Sequence, residues 1–187
     1  MNSVRDQKLR SHAKIVRAAS QLFRRRGYRA TSVDVLMNEA GLTRGGFYAH
    51  FENKAALLRT ALQDAFAESR ANLFERGLDG VEGDAWLVRA AARYLRRSHV
   101  EQPERGCAIP SLAAEVARED DETRRSFERE VGRILAVFVT RLGGDPAKAR
   151  VRAIRHLATW AGALTLARAV EDPELAREIL DAARPPE

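Results

Sequence analysis

The residues whose types and spacing carry chemistry lie between Thr31 and Lys54, in the stretch TSVDVLMNEAGLTRGGFYAHFENK. Two short helices fit on either side of a turn that contains Gly41, which is helix-turn-helix spacing. Val35, Leu36, Ala40, Leu42 and Phe47 are apolar where the two helices must pack. The second helix carries Arg44, Gly45, Gly46, Tyr48 and His50. Each glycine costs about 1 kcal/mol of helix propensity relative to Ala. Close approach of the backbone to a partner compensates for that cost, and for a recognition helix the partner is the DNA major groove.

The charge agrees with a polyanion partner. Residues 1–54 hold 11 Lys/Arg against four acids, whereas the other 133 residues hold 21 against 22, so the whole +6 surplus sits at the N-terminal end. A solvated basic face is the plain alternative for charge taken alone. Enzymatic motifs are missing: there is no G-x-x-x-x-G-K-[ST], G-x-G-x-x-G, H-E-x-x-H or C-x-x-C. His12, His50, His99 and His156 are scattered without metal-ligand spacing, so neither a metal nor a cofactor is expected. A Cys107–His99 nucleophilic pair is the one enzymatic arrangement conceivable, and the reading is that the chain is not an enzyme. The single cysteine excludes an internal disulfide, no apolar run reaches the roughly 20 residues of a membrane span, and Met1–Arg10 lacks a signal-peptide core. A cytoplasmic protein is expected.

Helical periodicity positions these residues. Ile15, Ala18, Ala19, Leu22 and Phe23 form the stripe of a first helix that stops at Gly27. Thr31 with Asp34 predicts a capping box for a second helix over Val33–Ala40, and Thr43 caps a third over Arg44 to about His50. Asn53 caps a long fourth helix carrying Leu57, Leu58, Ala61, Leu62, Ala65, Phe66 and Leu73. A glycine-rich loop over 77–83 precedes a fifth helix from Asp84, which is interrupted at 102–106. A short helix from Ser111 to about Arg118, a stripe from Phe127 to Leu142, and two helices opened by Asp145-Pro146 and Asp172-Pro173 complete the chain. The expected fold is all-α, with about nine helices. It divides into an N-terminal helix-turn-helix domain, residues 1–53, and a C-terminal helical ligand-binding and dimerisation domain, residues 54–187.

From Ile15 to Leu58 the sequence resembles the DNA-binding domain of the TetR family of bacterial repressors. The matching features are Ala19, Leu22 and Phe23, then Gly27-Tyr28, Thr31-Ser32-Val33 and Ala40-Gly41-Leu42. They continue through Gly46-Phe47-Tyr48-Ala49-His50-Phe51 to Lys54 and Leu57-Leu58. The resemblance implies that Arg44 and Gly45 face base edges, where Arg pairs bidentately with guanine. It places Thr43, Tyr48, His50 and Lys54 on phosphates, and Thr31 or Ser32 on a phosphate at the second helix's N-terminus. Tyr48 as core and His50 as a local cap are the plain alternatives. An arm around Arg5, Lys8 and Arg10 adds phosphate or minor-groove contacts and is expected to be disordered without DNA.

The resemblance also implies a homodimer on a palindromic double-stranded operator, most commonly as a repressor, and a small-molecule effector. The last two helices, Pro146–Val170 and Pro173–Ala183, would form the dimeric four-helix bundle, with Leu157, Ala158, Ala161, Gly162, Leu164 and Thr165 on its face. Candidate ligand residues are Trp86, Tyr94, Cys107, Leu112, Phe127, Val131, Phe138 and Trp160, with Arg89, Arg93, His99 and Glu115 as polar groups nearby. Core packing is the alternative for each. A branch of TetR-like regulators carries a Gly-Cys pair like Gly106-Cys107, and in some of them the cysteine responds to electrophiles or oxidants. The helix start and Arg105 predict a lowered thiol pKa for Cys107, so release from DNA by its modification stands beside release by a reversible apolar ligand. A ligand-binding or scaffold protein whose head no longer binds DNA is the remaining rival.

Overall fold

The computed structural model describes residues 2–186, and the side chains of residues 5–186. Its α-helices are α1 (Asn2–Arg26), α2 (Val33–Glu39), α3 (Lys54–Arg70), α4 (Gly83–Tyr94), α5 (Arg97–Glu101), α6 (Ala108–Val116), α7 (Asp121–Leu142), α8 (Pro146–Ala169) and α9 (Pro173–Ala182). A 3-10 turn over Arg44–Ala49, a π turn over Ala71–Glu75 and a 3-10 turn over Pro103–Arg105 join them. There is no strand among the described residues.

Local chemistry sets these boundaries. α1 buries Ile15, Ala19, Leu22 and Phe23, and Gly27 stops it with φ +86°, donating its N–H to Phe23 O at 2.9 Å. Asp120, Asp145 and Asp172 cap α7, α8 and α9 with their carboxylates. Four expectations are corrected. Ser32, not Thr31, caps α2, its Oγ accepting from Val35 N at 3.3 Å. Residues 44–49 form a 3-10 turn, with Gly46 N bonded to Thr43 O and His50 N to Phe47 O, because two adjacent glycines weaken a longer α-helix. Thr43 holds the N-cap position of that turn without a side-chain cap bond. The expected disordered arm is helical: α1 includes Arg5, Lys8 and Arg10. Two smaller shifts concern the break between α4 and α5, which comes at Leu95–Arg96, and α6, which begins at Ala108.

Packing joins the two ends of the chain. α3 lies against both α1 and α7; α7 also packs on α4 and α8, and α9 packs on α8. α6 touches α1 and fixes the turn that follows it. Glu115 on α6 accepts the backbone N–H groups of Tyr28 (3.2 Å) and Arg29 (2.8 Å). Arg24, whose side chain is fully buried, donates to Glu68 Oε2 on α3 (2.7 Å) and to Gly106 O (2.8 Å). The 44–49 turn is thus carried on a base bolted to the segment before Cys107. No described helix is long and apolar enough to cross a membrane.

Candidate functional site

Phe47 anchors the 44–49 turn. It is fully buried, its ring 5.9 Å from Phe51, and Phe51 stacks on His12 of α1 at 4.8 Å. With Phe47 pointing inward, Thr43, Arg44, Gly45 and Tyr48 point outward. Tyr48 is 67% exposed, its ring edge on Phe47, which removes it from the core. Arg44 is extended across to α2, where Nη1 meets Asp34 Oδ2 at 3.1 Å, both side chains exposed. The pair holds the guanidinium against α2.

His50 sits beside the first turns of α1. Arg5, Lys8, Leu9, His12, Ala49 and His50 line one cleft of about 320 Å³. The His50 ring is 6.1 Å from His12 and its Nδ1 is buried without a partner. Burial first, then His12 and Lys8, push the His50 pKa below its usual value. The cleft is an electropositive concavity of the kind that takes a phosphate.

Two expected phosphate ligands are otherwise engaged. Thr31 is fully buried and its Oγ1 donates to Gly27 O at 2.7 Å, so its hydroxyl secures the α1–α2 turn, whereas Ser32 beside it is exposed. Lys54 Nζ donates to Tyr28 O at 2.5 Å and lies 4.2 Å above the Tyr28 ring, and burial lowers its pKa. Lys54 clamps α3 to the α1–α2 turn. Gly45 and Gly46 have no structural requirement for glycine: a Cβ on Gly45 meets nothing within 4 Å, one on Gly46 makes only ordinary contacts, and neither has positive φ.

Residues 15–61 match the family model described as bacterial regulatory proteins, tetR family. Curated regulators are similar to part of the chain. The regulator TtgR of Pseudomonas putida is 40% identical over 63 residues, which cover 34% of this chain and 30% of TtgR. The repressor DhaR of Mycobacterium sp. is 28% identical over 117 residues, covering 62% and 57%. Over residues 15–61 the chain is similar to the tetR family of bacterial regulatory proteins. Its alignments span 17% of the length of the regulator YerO of Bacillus subtilis and 30% of TtgR, so it matches less than a third of these relatives. The fold likeness is longer. A TetR regulator of Chloroflexus aurantiacus superposes with TM-score 0.77 at 24% identity, covering 95% of this chain and 94% of that one. The reduced form of E. coli NemR superposes with TM-score 0.70 at 22% identity, covering 92% of each.

Beyond residues 15–61, the structure rearranges several expectations. Trp86, Tyr94, Cys107, Leu112, Phe138 and Trp160 are buried, and Phe127 and Val131 half-buried. Four of them share one aromatic cluster: Phe138 lies 4.9 Å from Trp86 and 5.5 Å from Trp160, and Tyr94 lies 5.8 Å from Trp160. Phe127 stands apart, edge-on to Phe66 of α3 at 5.3 Å, and Val131 lines an outer cleft with Arg125 and Arg150. The expected lowering of the Cys107 pKa is reversed. Cys107 is the N-cap of α6 but fully buried, and burial pushes the thiol pKa up, against the opposing pull of Tyr94, Ile109 N–H, Arg168 and Arg24.

The expected dimer face is also corrected. Leu157, Ala161 and Leu164 point into the protomer's own core, while Ala158, Gly162 and Thr165 are exposed. The outward stripe of α8 is Val151, Ile154, Ala158, Gly162 and Leu166, with Leu175 of α9 exposed as well. It repeats at helical spacing, so a second apolar stripe on α8 was available in the sequence.

Of the polar neighbours, Arg93 bonds Arg76 O (2.6 Å), Glu115 holds the head, and His99 is central. His99 Nδ1 lies 2.6 Å from Tyr94 O and Nε2 accepts the Cys107 N–H at 2.9 Å, which fixes one neutral tautomer. Burial lowers its pKa to about 4. Arg24 and Arg168, which surround this unit, were not among the expected site residues; no pattern in the sequence marks one buried arginine among 28.

Proposed function

We propose that the chain is a ligand-responsive, DNA-binding transcriptional regulator of the cytoplasm, acting as a homodimeric repressor on a palindromic operator. Residues 1–53 serve as the DNA-binding domain and 54–187 as the sensing and dimerisation domain, with α3 shared between them. The observation that carries this reading is the outward face of the 43–50 turn. Arg44, Tyr48 and two glycines that the fold does not need are presented beside the Arg5, Lys8 and His50 cleft. Arg44 reads a base edge; Thr43, Tyr48, His50 and Ser32 hold phosphates; Lys54 joins them by leaving Tyr28. The small-residue and apolar stripe of α8 supplies a dimer face, which aligns two recognition turns with half-sites about 34–36 Å apart.

The trigger is assigned to the body. A ligand that prefers the state with misaligned heads shifts the equilibrium by its difference in affinity for the two states. The buried Cys107, with its raised pKa, favours a reversible ligand over direct modification of the thiol. Footprinting the reduced protein on the DNA upstream of its own gene tests the reading. A protected palindrome that Arg44→Ala abolishes, with the fold intact, supports it. A footprint unchanged by Arg44→Ala would sink the assignment of the recognition turn, and weak binding that fades with salt would mean phosphate attraction without readout.

A further inference from the structure

Beside Cys107, three buried hydrogen-bond donors have no oxygen or nitrogen acceptor. Trp160 Nε1 and Arg168 Nε are each enclosed without a partner, and the Tyr94 hydroxyl has only the weakly accepting Cys107 sulfur beside it; the Tyr94 and Trp160 side chains are wholly buried. They belong to one neighbourhood. The rings of Tyr94 and Trp160 are 5.8 Å apart, the Tyr94 hydroxyl faces the Cys107 thiol, and Arg168 Nη2 donates to His99 O at 2.7 Å. An unpaired buried donor costs about 1–3 kcal/mol, so a cluster of them asks for an acceptor.

The charge asks for the same thing. Arg24, the fully buried guanidinium nearby, is matched by Glu68, whereas Arg168 is half-buried. Arg168 has only neutral partners, Ser111 Oγ at 3.1 Å and His99 O. His99 itself adds no charge, since its tautomer is fixed by Tyr94 O and the Cys107 N–H. Glu104 is the nearest acid acting on Arg168, and its pull is the weakest of those that act there. The neighbourhood therefore holds a positive charge and surplus donors, within a wall of aromatic rings.

We propose that Tyr94, Trp160 and Arg168 form the polar end of a buried effector site that takes a small monocarboxylate, its hydrocarbon part resting on the aromatic cluster. One guanidinium balances one carboxylate and leaves a dianion uncompensated, which excludes phosphate esters and sulfate in so apolar a place. The nearby surface groove of about 460 Å³ between α5, α8 and α9 is lined by Leu95 and Ala167, the chain neighbours of Tyr94 and Arg168, and a ligand would enter from that side by parting them. Binding there acts on the head through Gly106: its carbonyl accepts from Arg24 of α1, and Cys107, next in the chain, is held by His99. The assignment rests on the regulator reading only for this consequence, not for the binding itself.

The test is a titration of the full reduced chain with acetate, butyrate, octanoate and benzoate, and with the matching primary alcohols. Tryptophan fluorescence and melting temperature report binding. At least one acid is expected to bind tenfold or more tightly than its alcohol. Arg168→Gln weakens that acid at least tenfold, and Arg168→Lys recovers part of the loss. Tyr94→Phe is the sharper variant, because it deletes a hydroxyl whose one neighbour is the weakly accepting Cys107 sulfur. It should leave the melting temperature of the free protein unchanged or raised while weakening the acid several-fold. The proposal is overturned if no acid binds, if acids and alcohols bind alike, or if folded Tyr94→Phe and Arg168→Gln proteins keep full affinity. A footprint run in parallel separates the two readings. A protected operator without acid binding removes only this proposal, and acid binding without an operator removes only the regulator reading.

Discussion

Gly45 and Gly106 sit in the two working regions of the molecule and are glycine for different reasons. A Cβ on Gly45 meets open space, whereas on Gly106 it would overlap the His99 ring and crowd Arg168. The recognition turn keeps its side chains outside, on a six-residue 3-10 segment pinned by Phe47. The core around Cys107 keeps its side chains inside, interlocked through His99, Arg24 and Arg168. The difference separates what the fold needs from what the fold merely displays. Outward residues of the turn can be replaced without loss of stability and with loss of binding, whereas truncating the large side chains of the core costs stability first.

The largest effect expected from this contrast is at Trp160. Trp160→Ala empties the centre of the aromatic cluster, where Tyr94, Phe138 and His156 all lie within 6 Å of its ring. Such truncations cost about 3–5 kcal/mol, which a denaturation curve resolves easily. DNA affinity per folded molecule should stay close to that of the parent at low temperature. A loss of affinity as large as the loss of stability would break the separation between core and turn.

Acid should act on the core next. His99 is held neutral, with a pKa of about 4 in the folded state against about 6.5 unfolded. Between those values the unfolded chain binds the extra proton and the folded one does not. The stability that His99 contributes is therefore complete above about pH 6.5 and is lost as the pH falls to about 4, by roughly 3 kcal/mol. His99→Gln removes the titration, so the stability difference between the two proteins should narrow as the pH drops through this window. Parallel pH profiles for the two proteins would show that His99 is not the group responsible.

The same contrast explains how much could be read from the sequence. The head was legible because its signals are local. Gly27 and Gly41 need positive φ, Phe47 must turn inward, and the basic excess lies within one segment. Even there, Thr31 and Lys54 carry the right chemistry for phosphate yet are engaged by Gly27 O and Tyr28 O, partners that only the folded turn supplies. The body was legible as helices but not as a site. Leu157 and Leu164 read as an interface until α7 takes up their side of α8. Cys107 at a helix start predicts a low pKa, and burial, a property of the whole packing, reverses it.

The glycine pair sharpens the comparison directly. Gly106→Ala forces the His99 ring or the Gly106 backbone to move, a form of overpacking worth about 1–3 kcal/mol. Gly45→Ala has the opposite profile. The melting temperature should hold or rise slightly, because Ala restricts the unfolded chain, while operator affinity falls because the added methyl group stands between backbone and groove. Equal melting temperatures for the two variants would contradict the placement of His99 against Gly106.

The smallest effect concerns Asp34, which touches the recognition turn without belonging to it. Its carboxylate holds Arg44 on the free surface at 3.1 Å. An exposed pair of this kind contributes about 0.2–1 kcal/mol, so Asp34→Asn should leave stability almost unchanged. Its effect on DNA has a definite sign. In the parent protein part of the binding free energy is spent on opening the pair and on bringing an acid towards the phosphates. Removing the charge lowers both costs. Non-specific DNA should gain most, by up to several-fold at low salt, because it profits from charge alone. The operator should gain less, so the ratio of specific to non-specific affinity falls. If Asp34→Asn instead weakened the operator as much as Arg44→Ala does, Asp34 would be orienting Arg44 for the base rather than holding it back. The turn would then be preorganised in the free protein, as the core is.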